Sequence, residues 1–246
     1  MQFREWGAAV KSIILAAGYA TRLYPLTENF PKPLLPVGGR PILDWLLADL
    51  EGTADEFIVV TNHKFAAHFD AWAKGKPVRV LDDGTLNNET RLGAVRDMEL
   101  ACRGIKDDVL VMAGDNVLDF SLRPFLSFAR KKDSSCVMCY RETDPARCRR
   151  TAIITVDEDE RITSYEEKPD KPKGELAVPP FYFYRREDIA RIPEALCAGC
   201  AYDAPGSFAV WLSGRTKMHA WEMPGKRYDI GDMRSYEAIR DSYTGS

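Results

Sequence analysis

The sequence predicts an α/β protein built on a central mixed, mostly parallel sheet flanked by helices. Three observations carry this expectation. Between residues 12 and 116, short apolar runs alternate with amphipathic helical patterns, the order that builds a parallel sheet covered on both faces. Beyond residue 120 strand-like runs cluster, which predicts added antiparallel pairing. The 246 residues contain no internal repeat, low-complexity segment or interdomain linker, so a single domain over 1–246 is expected.

The elements follow in order. Ser12–Ala16 is an apolar run that reads as the first strand, and it stops in a turn of small residues, Ala17 to Thr21. Pro41 opens a helix with Ile42, Leu43, Leu46 and Leu50 on one face. Phe57–Thr61 is a buried strand. Lys64–Lys74 is a helix with Phe65, Phe69 and Trp72 at i, i+4 and i+7, closed by Gly75. Val78–Leu81 is a strand, Arg91–Arg103 a helix, and Val109–Ala113 a strand that ends in Gly114-Asp115-Asn116. After it, Pro124–Lys132 reads as a short helix. Strands are expected at Ser135–Tyr140, Thr151–Val156, Arg161–Glu166 and Phe181–Tyr184, with a surface loop over Asp170–Ala177. Helices near Asp188–Leu196 and Ser207–Leu212 precede a strand, Met218–Glu222, and a last helix, Met233–Asp241.

Composition excludes several classes of function. Hydrophobic residues make up 45% and charged residues 29%, which is ordinary for a globular protein. The net charge of -3 leaves no basic excess to displace counterions, so no nucleic-acid partner is expected. No apolar run reaches the ~18–20 residues of a membrane span. The first ten residues lack the basic-then-apolar order of a signal peptide, so a cytoplasmic location is expected. A homo-oligomer is compatible with this composition. Six cysteines include two C-x-x-C pairs, Cys136/Cys139 and Cys197/Cys200. The pairs lie much farther apart than the ~15–20 residues of a zinc ribbon. The first pair also falls on a strand, where i and i+3 face opposite sides. Packing is the expected role of these thiols. The three histidines need no catalytic task.

The chemistry is concentrated near the N-terminus. A strand that stops in a glycine turn exposes a row of backbone N–H groups, which bind anions. Arg22 follows that turn directly, and Lys32 is held between Pro31 and Pro33. A guanidinium and a rigidly placed ammonium beside such a turn suit a polyphosphate. The fingerprint G-x-G-x-x-G of dinucleotide enzymes and the G-K-[ST] of P-loop NTPases are both absent.

The segment L-A-A-G-Y-A-T-R (Leu15–Arg22) followed by P-K-P (Pro31–Pro33) resembles the signature of the sugar-phosphate nucleotidyltransferases, or NDP-sugar pyrophosphorylases, the family that includes the glucose-1-phosphate thymidylyltransferases. The resemblance extends over most of the chain and implies a Rossmann-like nucleotidyltransferase fold. It also implies Mg²⁺-dependent transfer of a nucleoside monophosphate from an NTP to a sugar 1-phosphate, with loss of pyrophosphate. Arg22 and Lys32 are then the catalytic cations. Leu15, Ala16, Ala17, Gly18, Thr21, Asn88 and Gly93 would bind the nucleotide. Asp115, in Gly114-Asp115-Asn116, and Asp229, in Asp229-Ile230-Gly231, would hold Mg²⁺, with Asp232 as the alternative to Asp229. Glu167 and Lys168, in Glu167-Lys168-Pro169, together with Thr151, would bind the sugar phosphate. Asp203–Gly206 resembles an acceptor-side loop.

The chain departs from the family pattern at four places. Ala20 replaces a second glycine, and Ile230 replaces a threonine. Thr151-Ala152 replaces an aromatic-glycine pair that contacts sugar. Asp82–Ala94 lacks the glutamine and glycine-rich form that reads the nucleobase. Two alternatives therefore remain open: a cytidylyltransferase acting on phosphocholine or another alcohol phosphate, and a non-catalytic nucleotide-binding module of the same fold.

Overall fold

The structure is a computed structural model and describes residues 10–245. The expectation of no signal peptide falls on residues 1–9, which with residue 246 lie outside the described residues. The chain begins with β1 (Val10–Leu15), β2 (Pro36–Val37), β3 (Arg40–Pro41), α1 (Ile42–Asp49), β4 (Glu56–Thr61) and α2 (Ala66–Ala73). It continues through β5 (Val78–Asp82), α3 (Ala94–Cys102), β6 (Asp108–Ala113), β7 (Asn116–Leu118), α4 (Arg123–Lys132), β8 (Ser135–Arg141) and α5 (Pro145–Cys148). Next come β9 (Ala152–Val156), β10 (Ile162–Glu167), β11 (Leu176–Val178), β12 (Phe181–Tyr184), α6 (Arg186–Ile189) and α7 (Ile192–Cys197). The last elements are α8 (Gly206–Ser213), β13 (Met218–Glu222), β14 (Arg227–Asp229) and α9 (Met233–Ile239).

Ten strands form one sheet in the order β5-β4-β1-β6-β12-β8-β11-β9-β10, with β13 paired to β8 off this path. The strands β5, β4, β1 and β6 are parallel, and β13 is parallel to β8. β12 runs antiparallel between β6 and β8, and β9, β10 and β11 are antiparallel to their neighbours.

The central strands read as continuous apolar runs because both their faces are buried. Side chains alternate between two cores. Ile13, Ile58, Val60, Val109 and Val111 pack on one face against α3, α7 and α8 through Val95, Met98, Ile192, Phe208 and Leu212. Ile14, Val59, Leu110 and Met112 pack on the other against α1, α2 and α4 through Leu43, Leu46, Phe69, Phe125 and Leu126. Cys136 belongs to the second core and Cys139 to the first, so the two thiols face opposite sides of the sheet. Burial pushes each thiol up to about 12, so both stay protonated as packing groups.

The chain leaves β1 toward β4 and β5, then returns to the other side of β1 as β6. This reversal opens a crevice between the carboxyl ends of β1 and β6, where open α/β sheets bind ligands. A third, smaller core lies beside it. Leu23, Leu35, Val37, Ile42, Val117, Ile230, Tyr236 and Tyr243 join the loop carrying Lys32 to α9. Ile230, which replaces the family's threonine, is fully buried in this core.

Several elements differ from expectation. The helix expected over Asp188–Leu196 is two short helices, α6 and α7. Pro193 explains the break, because its ring clashes with the carbonyl four residues back and it has no N–H. The end of the Asp170–Ala177 loop is recruited as β11, which fills a gap between β8 and β9. The three-residue strands β7 and β14 pair with one another in a separate two-stranded sheet. Neither carries a periodic pattern long enough to read.

Candidate active site

The turn after β1 is pinned from both sides. The Ala16 amide donates to the Val60 carbonyl at 2.8 Å, and the Gly114 amide to the Leu15 carbonyl at 2.9 Å. Buried Asn62 donates its side-chain amide to the Ala17 carbonyl at 2.9 Å, and its oxygen accepts from the Phe65 amide at the start of the next helical turn. Ala20 takes the left-handed conformation, φ 48° and ψ 40°, in place of glycine. That geometry costs an L-residue about 1–2 kcal/mol. The Ala20 carbonyl is held by the Thr27 hydroxyl at 2.8 Å and the Leu23 amide at 3.0 Å.

Lys32 begins a short 3₁₀ turn, Lys32–Leu34, just after Pro31. Leu34 and Leu35 are buried behind it and fix the backbone. The Lys32 Nζ donates to Asp115 Oδ2 at 2.5 Å and to the Ile230 carbonyl at 2.9 Å. The other oxygen of Asp115 accepts from Asn116 Nδ2 at 2.7 Å. Asn116 lies opposite Asp229 in the β7–β14 register, and the Ile230 amide donates to the Asp115 carbonyl at 3.1 Å. The two expected carboxylates, Asp115 and Asp229, therefore sit on adjoining chain segments. Arg227 donates to Asn116 Oδ1 at 2.5 Å and lies 3.4 Å from Asp229. Asp232 is committed elsewhere: it caps α9, accepting from the Ser235 amide at 2.8 Å, and those hydrogen bonds hold its carboxyl below the usual range.

A cavity of about 300 Å³ adjoins the β1 turn and includes Leu15, Ala17, Gly18, Asn88 and Gly93 in its lining. Ala16 and Thr21 are not among its lining residues: Ala16 packs into the core and Thr21 is exposed. Gly93 has φ +90°, and a Cβ there would lie 2.7 Å from the Tyr202 carbonyl oxygen and ring. The Tyr202 carbonyl accepts the Val95 amide at 2.9 Å, which docks the 201–206 loop on the start of α3. Gly93→Ala is therefore expected to destabilise the fold by about 1–3 kcal/mol in urea unfolding, because it combines backbone strain with a clash. A variant as stable as the parent would show that this contact yields freely.

The residues expected to bind the sugar phosphate gather on the β9–β10 pair. Thr151 precedes β9 and Lys168 follows β10, and the Lys168 amide donates to the Thr151 carbonyl at 3.1 Å. Glu167 Oε2 and the Tyr182 hydroxyl would each lie 3.2 Å from a Cβ placed on Gly206, so a larger residue there would press on both side chains. Burial raises the Glu167 carboxyl, an effect opposed by Lys168. The loop expected on the acceptor side is divided: Gly206 faces Glu167, whereas Asp203 lines the cavity beside the β1 turn and pairs with Arg91 at 2.8 Å. Arg22 stands apart. It is exposed and makes no side-chain hydrogen bond or ion pair among the described residues, while its charge acts on Asp232.

The structure adds residues that the sequence pattern did not single out. Asn62, Asp97 and Tyr182 come from elements that carry no motif, whereas Asn116 lies within Gly114-Asp115-Asn116, Arg227 just before Asp229-Ile230-Gly231 and Asp83 within Asp82–Ala94, and the motifs gave none of these three a role. A larger cavity of about 480 Å³ lies elsewhere, beside Arg40, Trp45 and Tyr243, and none of the expected site residues lines it.

Comparison with known proteins identifies the family. The family model for nucleotidyl transferases matches residues 11–245. The bifunctional protein GlmU of Methanocaldococcus jannaschii is 28% identical over 165 residues, which is 67% of this chain and 37% of GlmU. The chain thus spans well under half the length of that relative. The UTP–glucose-1-phosphate uridylyltransferase AglF of Haloferax volcanii is 27% identical over 179 residues, 71% of this chain and 72% of AglF. A solved UDP-glucose pyrophosphorylase, complexed with UDP-glucose, superposes with a TM-score of 0.80 at 18% identity, covering 96% of this chain and 98% of that one. With a family match from residue 11 to residue 245 and the motif residues gathered at the topological switch of the sheet, the chain belongs to the nucleotidyl transferase family.

Proposed function

We propose that this chain transfers a nucleoside monophosphate from an NTP to a sugar 1-phosphate, giving an NDP-sugar and pyrophosphate. The observation that carries this reading is the Lys32 ammonium, held by Asp115 and the Ile230 carbonyl at the switch point, beside the cavity that Leu15, Ala17 and Gly18 help to form. A phosphate oxygen of the acceptor attacks the α-phosphorus in line; the new P–O bond forms as the bond to the β-phosphate breaks. The protein's part is positioning and charge stabilisation. Lys32 stabilises the charge that builds on the α-phosphate. Arg22, which has no side-chain partner to give up among the described residues, grips the outer phosphates and the departing pyrophosphate. Glu167 accepts hydrogen bonds from sugar hydroxyls, Lys168 neutralises the acceptor phosphate, and Thr151 borders the same end.

The residues present fit Mg²⁺. The donors are two carboxylates, Asp115 and Asp229, and no cluster of three or more His, Cys, Asp or Glu able to hold an ion occurs among the described residues. Two carboxylates with the remaining positions left to phosphate and water is the pattern Mg²⁺ takes. When bound, Mg²⁺ supplies charge neutralisation at the phosphates. All six cysteines are free thiols, which supports a reducing, cytoplasmic setting. In this reading residues 11–245 work as one nucleotidyltransferase unit.

The test is pyrophosphate release with Mg²⁺, using ATP, CTP, GTP, UTP and dTTP against a panel of sugar 1-phosphates and phosphocholine. Release with a sugar 1-phosphate is the expected result. Release with phosphocholine alone would replace the sugar, and silence across the panel would sink the catalytic reading.

A further inference from the structure

The cavity beside the β1 turn is lined by two carboxyl groups, each with one buried oxygen that has no hydrogen-bond partner among the described residues. Asp97, on α3, is 5% exposed, and its Oδ1 is buried without a hydrogen-bond partner. Asp83, in the loop after β5, accepts from the Thr85 amide and hydroxyl through Oδ1, each at 2.7 Å, while its Oδ2 is likewise buried and unpartnered. Both residues line the cavity that contains Leu15, Ala17, Gly18 and Asn88. Desolvation, with the Asp83 charge adding to it, pushes the Asp97 carboxyl up to about 7. Asp203, on the same wall, differs: it is paired with Arg91, which holds its carboxyl below the usual range. Buried polar atoms are almost always hydrogen-bonded, because leaving one unpaired costs free energy. Two unpaired acceptors, brought from separate elements to one cavity, form a receptor for N–H donors.

We propose that Asp97, with Asp83 beside it, selects the nucleobase of the NTP, admitting bases that carry an exocyclic amine and rejecting uracil and thymine. This rests on the nucleotidyltransferase reading above and names the substrate class of that site. Cytosine, adenine and guanine each present an amine whose N–H can be given to a carboxylate oxygen. Uracil and thymine present one N–H on the same edge, and it is flanked on both sides by carbonyl oxygens. A carboxylate that accepts this N–H must also face two sets of lone pairs. A polar site left unsatisfied by the wrong ligand discriminates strongly against it. The missing glutamine of the family pattern and the presence of these two acids are then one change in how the base is read.

The experiment measures the affinity of the full chain for ATP, CTP, GTP, UTP and dTTP with Mg²⁺ by titration calorimetry, alongside pyrophosphate release. At least one amine-bearing NTP is expected to bind ~10-fold or more tighter than UTP and dTTP. Asp97→Asn adds an amide donor in nearly the same shape and is expected to shrink that ratio by ~10-fold or more. Asp83→Asn is expected to shrink it as well, and thermal unfolding reports whether either variant is folded. UTP or dTTP binding as tightly as every other NTP, or a ratio unchanged in both folded variants, overturns the proposal. Pyrophosphate release without base preference would sink this inference alone, whereas no NTP binding and no release would sink the functional reading with it.

Discussion

Lys32→Ala is expected to lower turnover by at least ~100-fold, and Asp115→Ala by a similar factor, the scale on which one preorganised charge-stabilising group acts. The expectation rests on the geometry around Nζ. Lys32 is half-buried, its backbone is fixed by Pro31 and Pro33, and its ammonium is already held by Asp115 at 2.5 Å and the Ile230 carbonyl at 2.9 Å. Little reorganisation is then needed when charge develops on a phosphate. The effect belongs in kcat at saturating substrates. A rise in KM with kcat intact would mean that Lys32 contributes only ground-state binding. Because the two side chains touch, their losses are not independent, and the double variant is expected to lose less than the product of the single losses. Melting temperatures of the single variants should accompany the rates, since an unfolded variant would imitate a catalytic defect.

The second large effect concerns stability and pH. Asp97 rises from an ordinary 3.8 to about 7 in the folded chain, so the native state holds a proton that the unfolded state has released. Stability from this group is therefore lost as pH rises from about 4 to about 7, and the full penalty persists above that range. A shift of this size corresponds to about 4 kcal/mol. Asp97→Asn removes the titration. Relative to the parent, the ligand-free variant is expected to gain stability between pH 4 and pH 8 by an amount on this order, measured by urea unfolding at both values. The comparison has to be made between variant and parent. Glu167 and Asp188 are also raised by burial, while Asp203 and Glu56 are lowered, the first mainly by Arg91 and the second by Arg79 and Lys11. A stability difference that does not change with pH would place the Asp97 carboxyl in a more solvated setting than the cavity provides.

Much of the candidate site could be located from the sequence because its motifs are local. The β1 turn, the P-K-P lysine and the aspartate after β6 each sit in a short run whose spacing dictates where the side chain lies. Asp229 was placed only by resemblance, since β14 is three residues long and its partner β7 lies more than a hundred residues earlier. Asp97 was hidden for a different reason. It looks like a polar residue on an amphipathic helix, and such residues normally face water. Here the helix start is docked by Tyr202 and Asp203, and the loop after β5 brings Asp83 to the same side, so the polar position is turned into a cavity.

Apolar runs and their alternation with helical patterns were enough to specify the parallel half of the sheet, because burial of both strand faces leaves a continuous signal in consecutive residues. The turn, Arg22, Lys32 and Asp115 followed from the same local logic. The tertiary structure alone decided which carboxylates meet, which are already paired and which stay unpaired. Those facts depend on how separate elements pack, which brings Lys32 to the Ile230 carbonyl and sets Asp83 and Asp97 in the lining of one cavity. Desolvation, which gives the last pair its character, comes into being only when the elements pack.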